Sequence, residues 1–281
     1  MSDPPAAEPA VVVGVVRRET AALRFALAEA ARRDVVLRVV HAIWLPVQHR
    51  ADDTGGRLRA RGQAVLDAAR RFVESSPDAR PQVEYVLSTR PPITTLLEES
   101  QMASCLVLGA DELPWYDRLL GGEVATYVAR HARCVVVTVP ERPHAQHANG
   151  DVVVALDPDT ATSPTLDQAF EQAEARRCGL RVLHAVGRNA SRVRIEASRE
   201  SVDRLVAERR TAHPGVRILA DVVADDADEA CLRASEHAEI LVIGRPRRPE
   251  LATLLARPIA MRVLRTARCP VLVANDAPVT S

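Results

Sequence analysis

The chain contains no lysine: its 37 cationic side chains are all arginines. That excludes a P-loop lysine, a kinase strand lysine and any Schiff-base chemistry. Aromatic residues are scarce, at 3% of a chain that is 47% apolar, so the core has to be assembled from Val, Leu, Ile and Ala. An excess of one charge is missing too, because 37 acidic residues balance 37 basic ones. A generic binder of nucleic acid or anionic membrane would carry a basic surplus, so neither partner is expected. No apolar run approaches the ~20 residues that cross a bilayer. The opening MSDPPAAEPA is Pro- and Ala-rich with acidic charge and does not resemble a secretory signal. Cys105, Cys134, Cys178, Cys231 and Cys269 form no CxxC pair. Reduced, buried thiols are the expectation for them, and the cytoplasm is the expected compartment.

What is present is a repetition. LVLG (106–109), a long loop and RHARCVVVTVP (130–140) are answered by LVIG (241–244), a similar loop and RTARCPVLVAN (265–275). Upstream, VVVGVV (11–16) matches VVVALD (152–157), LRVVHA (37–42) matches LRVLHA (180–185), and VEYVLS (83–88) matches VRILAD (216–221). Five strand-like segments recur in order at roughly 135 to 143 residues, too long for a solenoid and right for a duplicated domain. The expected organisation is a tail over 1–10, a domain over 11–140, a linker over 141–150, a second domain over 151–275, and a tail over 276–281.

Each half alternates continuous β-branched runs with helical periodicity. In the first, strands 11–16, 35–42, 82–88, 105–110 and 134–139 are separated by helices 19–33, 57–74, 93–103 and 123–131. In the second, strands 151–157, 180–185, 216–223, 240–244 and 269–274 are separated by helices 164–177, 198–210, 226–237 and 258–266. Runs apolar on both faces fit buried parallel strands, and the alternation predicts right-handed crossovers and an open α/β sheet. Ligands of such sheets bind at the carboxyl ends of the strands, where the strand order reverses. The positions to inspect therefore follow 11–16 and 106–109 in the first half, and 152–157 and 241–244 in the second.

A strand ending in Asp, an LVxG strand, a Gly-rich loop and a closing helix into (H/T)ARCPVLV resemble the universal stress protein family. The resemblance covers both halves, and RTARCPVLVA is its most specific fragment. It implies two tandem doubly wound domains, each a five-stranded parallel sheet with helices on both faces, of the adenine nucleotide alpha hydrolase-like kind. It further implies that the two domains pair through their last strands. Many members bind ATP through G-x2-G-x9-G-(S/T) together with an Asp closing the first strand; glycines admit phosphate to backbone N–H groups, and the hydroxyl adds a donor at a helix N-terminus.

The sequence departs from that pattern in both halves. Gly109 and Gly122 keep the outer glycine positions of the first, but Glu112 replaces the middle glycine, Glu123 the Ser/Thr, and Val16 the strand-end Asp. A carboxylate at Glu123 suits the helix dipole and repels phosphate, and is expected to stand in for the bound anion. The second half keeps Asp157 and, closing LVIG, Ile243 and Gly244; Arg247 and Arg257 occupy the other glycine positions, and Pro258 brings no N–H. Arg245, Arg247, Arg248 and Arg257 could bind an anion through guanidinium forks, or could be solvated surface. Nucleotide-binding candidates are thus Gly109, Gly122, Asp157, Ile243, Gly244, Arg245, Arg247 and Arg257, with ATP binding expected to be weak or absent.

Other groups have plainer readings. His41 and His184 end equivalent strands, where bonding to neighbouring backbone is the simpler role and ligand contact the alternative. His144 and His147 have metal spacing but no further ligand pair nearby, so no metal is expected. The acidic run 225–229 is read as charging and capping the helix that follows it. No GxSxG motif or Cys–His pairing argues for catalysis. The expected function is a stress-response regulatory or binding protein, not an enzyme, acting as an intrachain pseudo-dimer with a possible homodimer and an unidentified protein partner. An adenine-nucleotide switch in the second half and a slow ATP hydrolase are the alternatives.

Overall fold

The computed structural model describes residues 10–16, 21–44, 53–76, 81–110, 123–141, 150–158, 163–245 and 259–275. The chain divides into two compact units, Met1–Glu141 and Arg142–Ser281. Unit 1 runs β1 (Ala10–Gly14), α1 (Ala21–Arg33), β2 (Leu37–Ala42), α2 (Asp53–Ser75), β3 (Val83–Ser88), α3 (Pro92–Glu99), β4 (Ala103–Gly109), α4 (Glu123–His131) and β5 (Val135–Val139). Unit 2 runs β6 (Val152–Ala155), α5 (Ser163–Arg176), β7 (Leu180–Ala185), α6 (Arg192–Arg210), β8 (Ile218–Val223), α7 (Ala227–Ser235), β9 (Ile240–Ile243), α8 (Ile259–Thr266) and β10 (Val271–Val273).

Within unit 1 the strand order is β3-β2-β1-β4-β5, and within unit 2 it is the same series, β8-β7-β6-β9-β10. Every pairing described inside a unit is parallel. The first three strands of each unit step one way across the sheet and the last two step the other way. Right-handed crossovers therefore put the first two helices on one face and the last two on the opposite face. The packing agrees: α1 lies on β1 and β4 while α3 packs on α4, and α5 lies on β6 while α7 packs on α8. The cores are aliphatic, as the composition requires; Val11, Val13, Leu106, Val152, Val154, Ile240 and Leu241 are fully buried, and Phe170 is the one aromatic among the largest fully buried side chains.

The duplication reaches details that no strand pattern carries. Asp34 after α1 and Arg177 after α5 are the two described non-glycine residues with positive φ, at 52° and 54°. Each ends its helix with the same bond pair: Val35 N to Ala30 O (3.1 Å) and Asp34 N to Ala31 O (3.4 Å), then Cys178 N to Ala173 O (3.1 Å) and Arg177 N to Glu174 O (3.0 Å). This is the left-handed cap that glycine normally fills. A serine staple is also repeated. Ser100 Oγ accepts the Arg133 N–H at 3.1 Å and donates to Leu97 O, while Ser235 Oγ accepts the Arg268 N–H at 3.0 Å and donates to Leu232 O. Both serines are buried, and each ties its helix to the turn entering the last strand.

Several element bounds differ from the sequence expectation. The helix expected over 93–103 stops at Glu99, because Ala103 already belongs to β4. The helix expected from Ser198 begins at Arg192, where the Ser191 hydroxyl accepts the Arg194 N–H at 3.3 Å as an N-cap. Val193, Ile195 and Ala197 are the apolar residues of its first two turns, and Val193 and Ala197 are exposed, so no buried stripe announced them.

The acidic run 225–229 is an ion-pair hub more than a cap. Asp226 stands at the N-cap of α7 without a side-chain capping bond. Asp225 instead pairs with Arg233 and Arg188, Asp228 with Arg262 at 2.5 Å, and Glu229 with Arg262 at 2.8 Å, which joins α7 to α8. Hydrogen bonds from Arg233 and Arg262 hold the Asp225 and Asp228 carboxyls below the usual aspartate range. The stability they contribute is complete above about pH 4 and is lost as the pH falls through those depressed values.

Two outcomes follow. Arg177 is exposed, so Arg177→Gly relieves the left-handed strain at no cost in contacts and should raise unfolding stability by about 1 kcal/mol in urea titration; a loss of stability would show that the cap is not strained. Arg262→Gln should flatten the fall of stability with acid below about pH 4, and an unchanged slope would remove Asp228 from the account.

Candidate ligand site

The strand order reverses between β1 and β4 in unit 1 and between β6 and β9 in unit 2. At the first of these points β1 pairs with β4 up to Val13 and Val107. The chain leaves through Val15 and an exposed Val16, and Gly109 closes β4. At the second, Ala155 pairs with Ile243, so Leu156 and Asp157 emerge beside Gly244 and Arg245. Asp157 is exposed. Gly244 has no positive φ, and a Cβ there would meet Thr165 Oγ1 at an ordinary 3.5 Å, so its own conformation does not demand glycine. The Arg245 guanidinium donates to Asn275 Oδ1 at 2.7 Å, tying the end of β9 to the end of β10. Ile243 is buried in the sheet. Gly122, Arg247 and Arg257 lie outside the described residues, as do Glu112, Arg248, Pro258, His144 and His147; of Glu123 the helix position alone is described.

The two strand-end histidines make the same bond. His41 Nδ1 donates to Val15 O at 2.7 Å, and His184 Nδ1 donates to Leu156 O at 3.1 Å. A carbonyl only accepts, so Nδ1 carries the proton and the neutral ring keeps a lone pair on Nε2. Each histidine thereby pins the residue that leads out of the first strand to the end of the second. Burial pushes the His41 pKa down, with the Val15 carbonyl acting against that shift.

The surroundings of the two histidines differ. In unit 1, α2 brings Gly62 close to His41: a Cβ at Gly62 would stand 2.7 Å from Leu87, 3.0 Å from Ile43 and 3.2 Å from His41. In unit 2, α6 leaves a pocket of about 330 Å³ lined by Asp157, Pro158, His184, Ala185, Arg194, Ala197, Ser198 and Ser201. Of the sequence-derived candidates, Asp157 joins this pocket, and Ile243, Gly244 and Arg245 do not line it. Arg194 and Ser201 were not singled out in the sequence; the helix start that places them was signalled by Ser191 alone, without apolar periodicity.

No reactive thiol stands nearby. Burial pushes the Cys231 and Cys269 thiols up to about 12, and Cys178 is raised as well. Among the described residues no three His, Cys, Asp or Glu side chains gather where a metal ion could be held, and no helix is long and apolar enough to cross a membrane.

The comparisons with known proteins agree with the duplicated sheet. The sequence pattern of the universal stress protein family matches residues 10–140 and again 149–275. The universal stress protein Rv2623 of Mycobacterium tuberculosis is 29% identical over 293 residues, covering 95% of this chain and 96% of that protein. Universal stress protein Rv3134c of the same organism is 36% identical over 187 residues, or 65% of this chain and 67% of that one. Among solved structures, a universal stress protein from Archaeoglobus fulgidus superposes with a TM-score of 0.75 at 16% identity, covering 96% of this chain and 97% of that one.

The raised thiols give a direct check. A thiolate-seeking reagent at about pH 8 should leave Cys231 and Cys269 unmodified in the folded chain over times that modify both in denaturant. Intact-mass analysis showing either labelled at the denatured rate would contradict their burial.

Proposed function

The chain belongs to the universal stress protein family, and from that premise we propose that it is a non-catalytic, stress-associated regulatory protein with weak or no ATP binding. Its two units pair within the chain as a pseudo-dimer. The family resemblance puts that pairing at the last strands, β5 (VVVTV) and β10 (VLV), each a Val-rich edge of its own unit's sheet. A protein partner is then recognised by the surface that the pair presents.

The observation that carries this reading is the division of the ATP pattern between the halves. Unit 1 keeps Gly109 and Gly122 but has Val16 where an aspartate is needed. Unit 2 keeps Asp157, yet Arg247, Arg257 and Pro258 replace the residues that would offer backbone and hydroxyl donors to phosphate. Arg245, the arginine of that loop nearest the strand, is engaged by Asn275.

A second reading is favoured by the pocket beside Asp157: an adenine-nucleotide switch carried by unit 2. Calorimetric titration with ATP and magnesium separates the two. The first reading expects no saturable heat below about 1 mM. Tight binding that Asp157→Ala weakens at least about tenfold, roughly 1.4 kcal/mol, would replace it with the nucleotide switch.

A further inference from the structure

Along α6, Arg194, Ala197, Ser198 and Ser201 follow the i, i+3, i+4, i+7 spacing of a single helix face, and all four line the pocket at the ends of β6 and β7. None of the eight described lining residues is aromatic or a large aliphatic, and Pro158, Ala185 and Ala197 are the apolar ones among them. A flat heterocyclic base is held by broad apolar walls, and the described lining offers none. Its polar groups fall into two sets. Asp157 is a carboxylate, His184 keeps Nε2 as an acceptor once Nδ1 is committed to Leu156 O, and Ser201 donates its hydroxyl hydrogen to Ala197 O at 3.1 Å and so has lone pairs to offer. Arg194 and Ser198 are the donors on the helix; the Arg194 guanidinium forms no ion pair among the described residues.

A ligand that satisfies both sets has hydroxyl groups at one end and an anion at the other. We propose that this pocket binds a compact hydroxylated monophosphate of the sugar-phosphate class. The guanidinium of Arg194 and the hydroxyl of Ser198 hold the phosphate, and the ligand's hydroxyls donate to Asp157, His184 Nε2 and Ser201. The phosphate sits on the α6 side because the Asp157 carboxylate repels it from the strand side. At about 330 Å³ the pocket lies near the lower end of small-molecule sites, which suits a monophosphate. In unit 1 the corresponding helix comes close to its histidine instead: a Cβ at Gly62 would stand 3.2 Å from His41. The inference rests on the pocket alone, and does not depend on how the units pair or on the fate of the phosphate loop.

The test is calorimetric titration of the full-length chain with ribose 5-phosphate, ribose, inorganic phosphate and ATP, repeated on Arg194→Gln and Ser198→Ala. Arg194 is exposed on its helix, so both variants should melt with the parent. Ribose 5-phosphate should bind saturably, with ribose and inorganic phosphate at least about tenfold weaker. Arg194→Gln should lose about ten- to a hundredfold in affinity, and Ser198→Ala a smaller factor. Absence of saturable heat with ribose 5-phosphate overturns the proposal, as does an affinity that Arg194→Gln leaves unchanged. ATP bound more than about tenfold tighter than ribose 5-phosphate also overturns it and supports the nucleotide switch; silence toward both ligands overturns both.

Discussion

The parallel pairing of β6 with β7 on one side and β9 on the other is the constraint on which the second unit depends. Parallel neighbours cannot be joined by a tight turn, so each strand must be followed by a helix that crosses back over the sheet. Because β7 lies on one side of β6 while β9 and then β10 lie on the other, the connections leaving the ends of β6 and β9 run in opposite directions and open a crevice between them. Asp157 enters that crevice as the second residue beyond β6, and His184 reaches back from β7 to fix Leu156 in front of it. The helix crossing from β7 to β8 closes one side, so the residues on that face of α6 decide whether the crevice is filled or left as a pocket.

The same constraint acts in both units, and what duplication has kept differs in kind from what it has changed. The left-handed caps at Asp34 and Arg177, the serine staples at Ser100 and Ser235, and the histidine clasps at His41 and His184 all hold backbone to backbone. Losing any of them would leave polar groups unsatisfied or a helix end undefined, whatever the chain binds. The changes sit where side chains face the crevice: Val16 against Asp157, and Gly62 pressed onto its histidine against the Arg194–Ser201 face. Beside its histidine one unit brings a helix glycine close, and the other has a pocket with a largely polar described lining.

Much of the fold was legible in the sequence. Val-rich runs, helical periodicity between them and the recurrence of LVLG and LVIG led to two five-stranded parallel sheets, and the strand-end histidines were assigned to backbone bonding, which both make. Less of the site could be read. Asp157 was found because it closes a strand, whereas Arg194, Ser198 and Ser201 came together only once α6 began at Arg192. Its first turns have no buried stripe, so hydrophobic periodicity carried no signal there, and a single N-cap serine did. The run 225–229 was legible as charge but not as a hub, because Arg188, Arg233 and Arg262 reach it from three separate places in the chain.

The central claim is that two copies of one fold have parted at their strand-end histidines, and that the second unit takes a small molecule in the pocket beside its own. Hydrogen–deuterium exchange of the full-length chain with and without saturating ribose 5-phosphate tests this most directly. The account predicts new protection at the ends of β6 and β7 and through the first half of α6, with exchange around His41 and Gly62 unchanged. Protection that appears equally in both units, or only in the first, would contradict it.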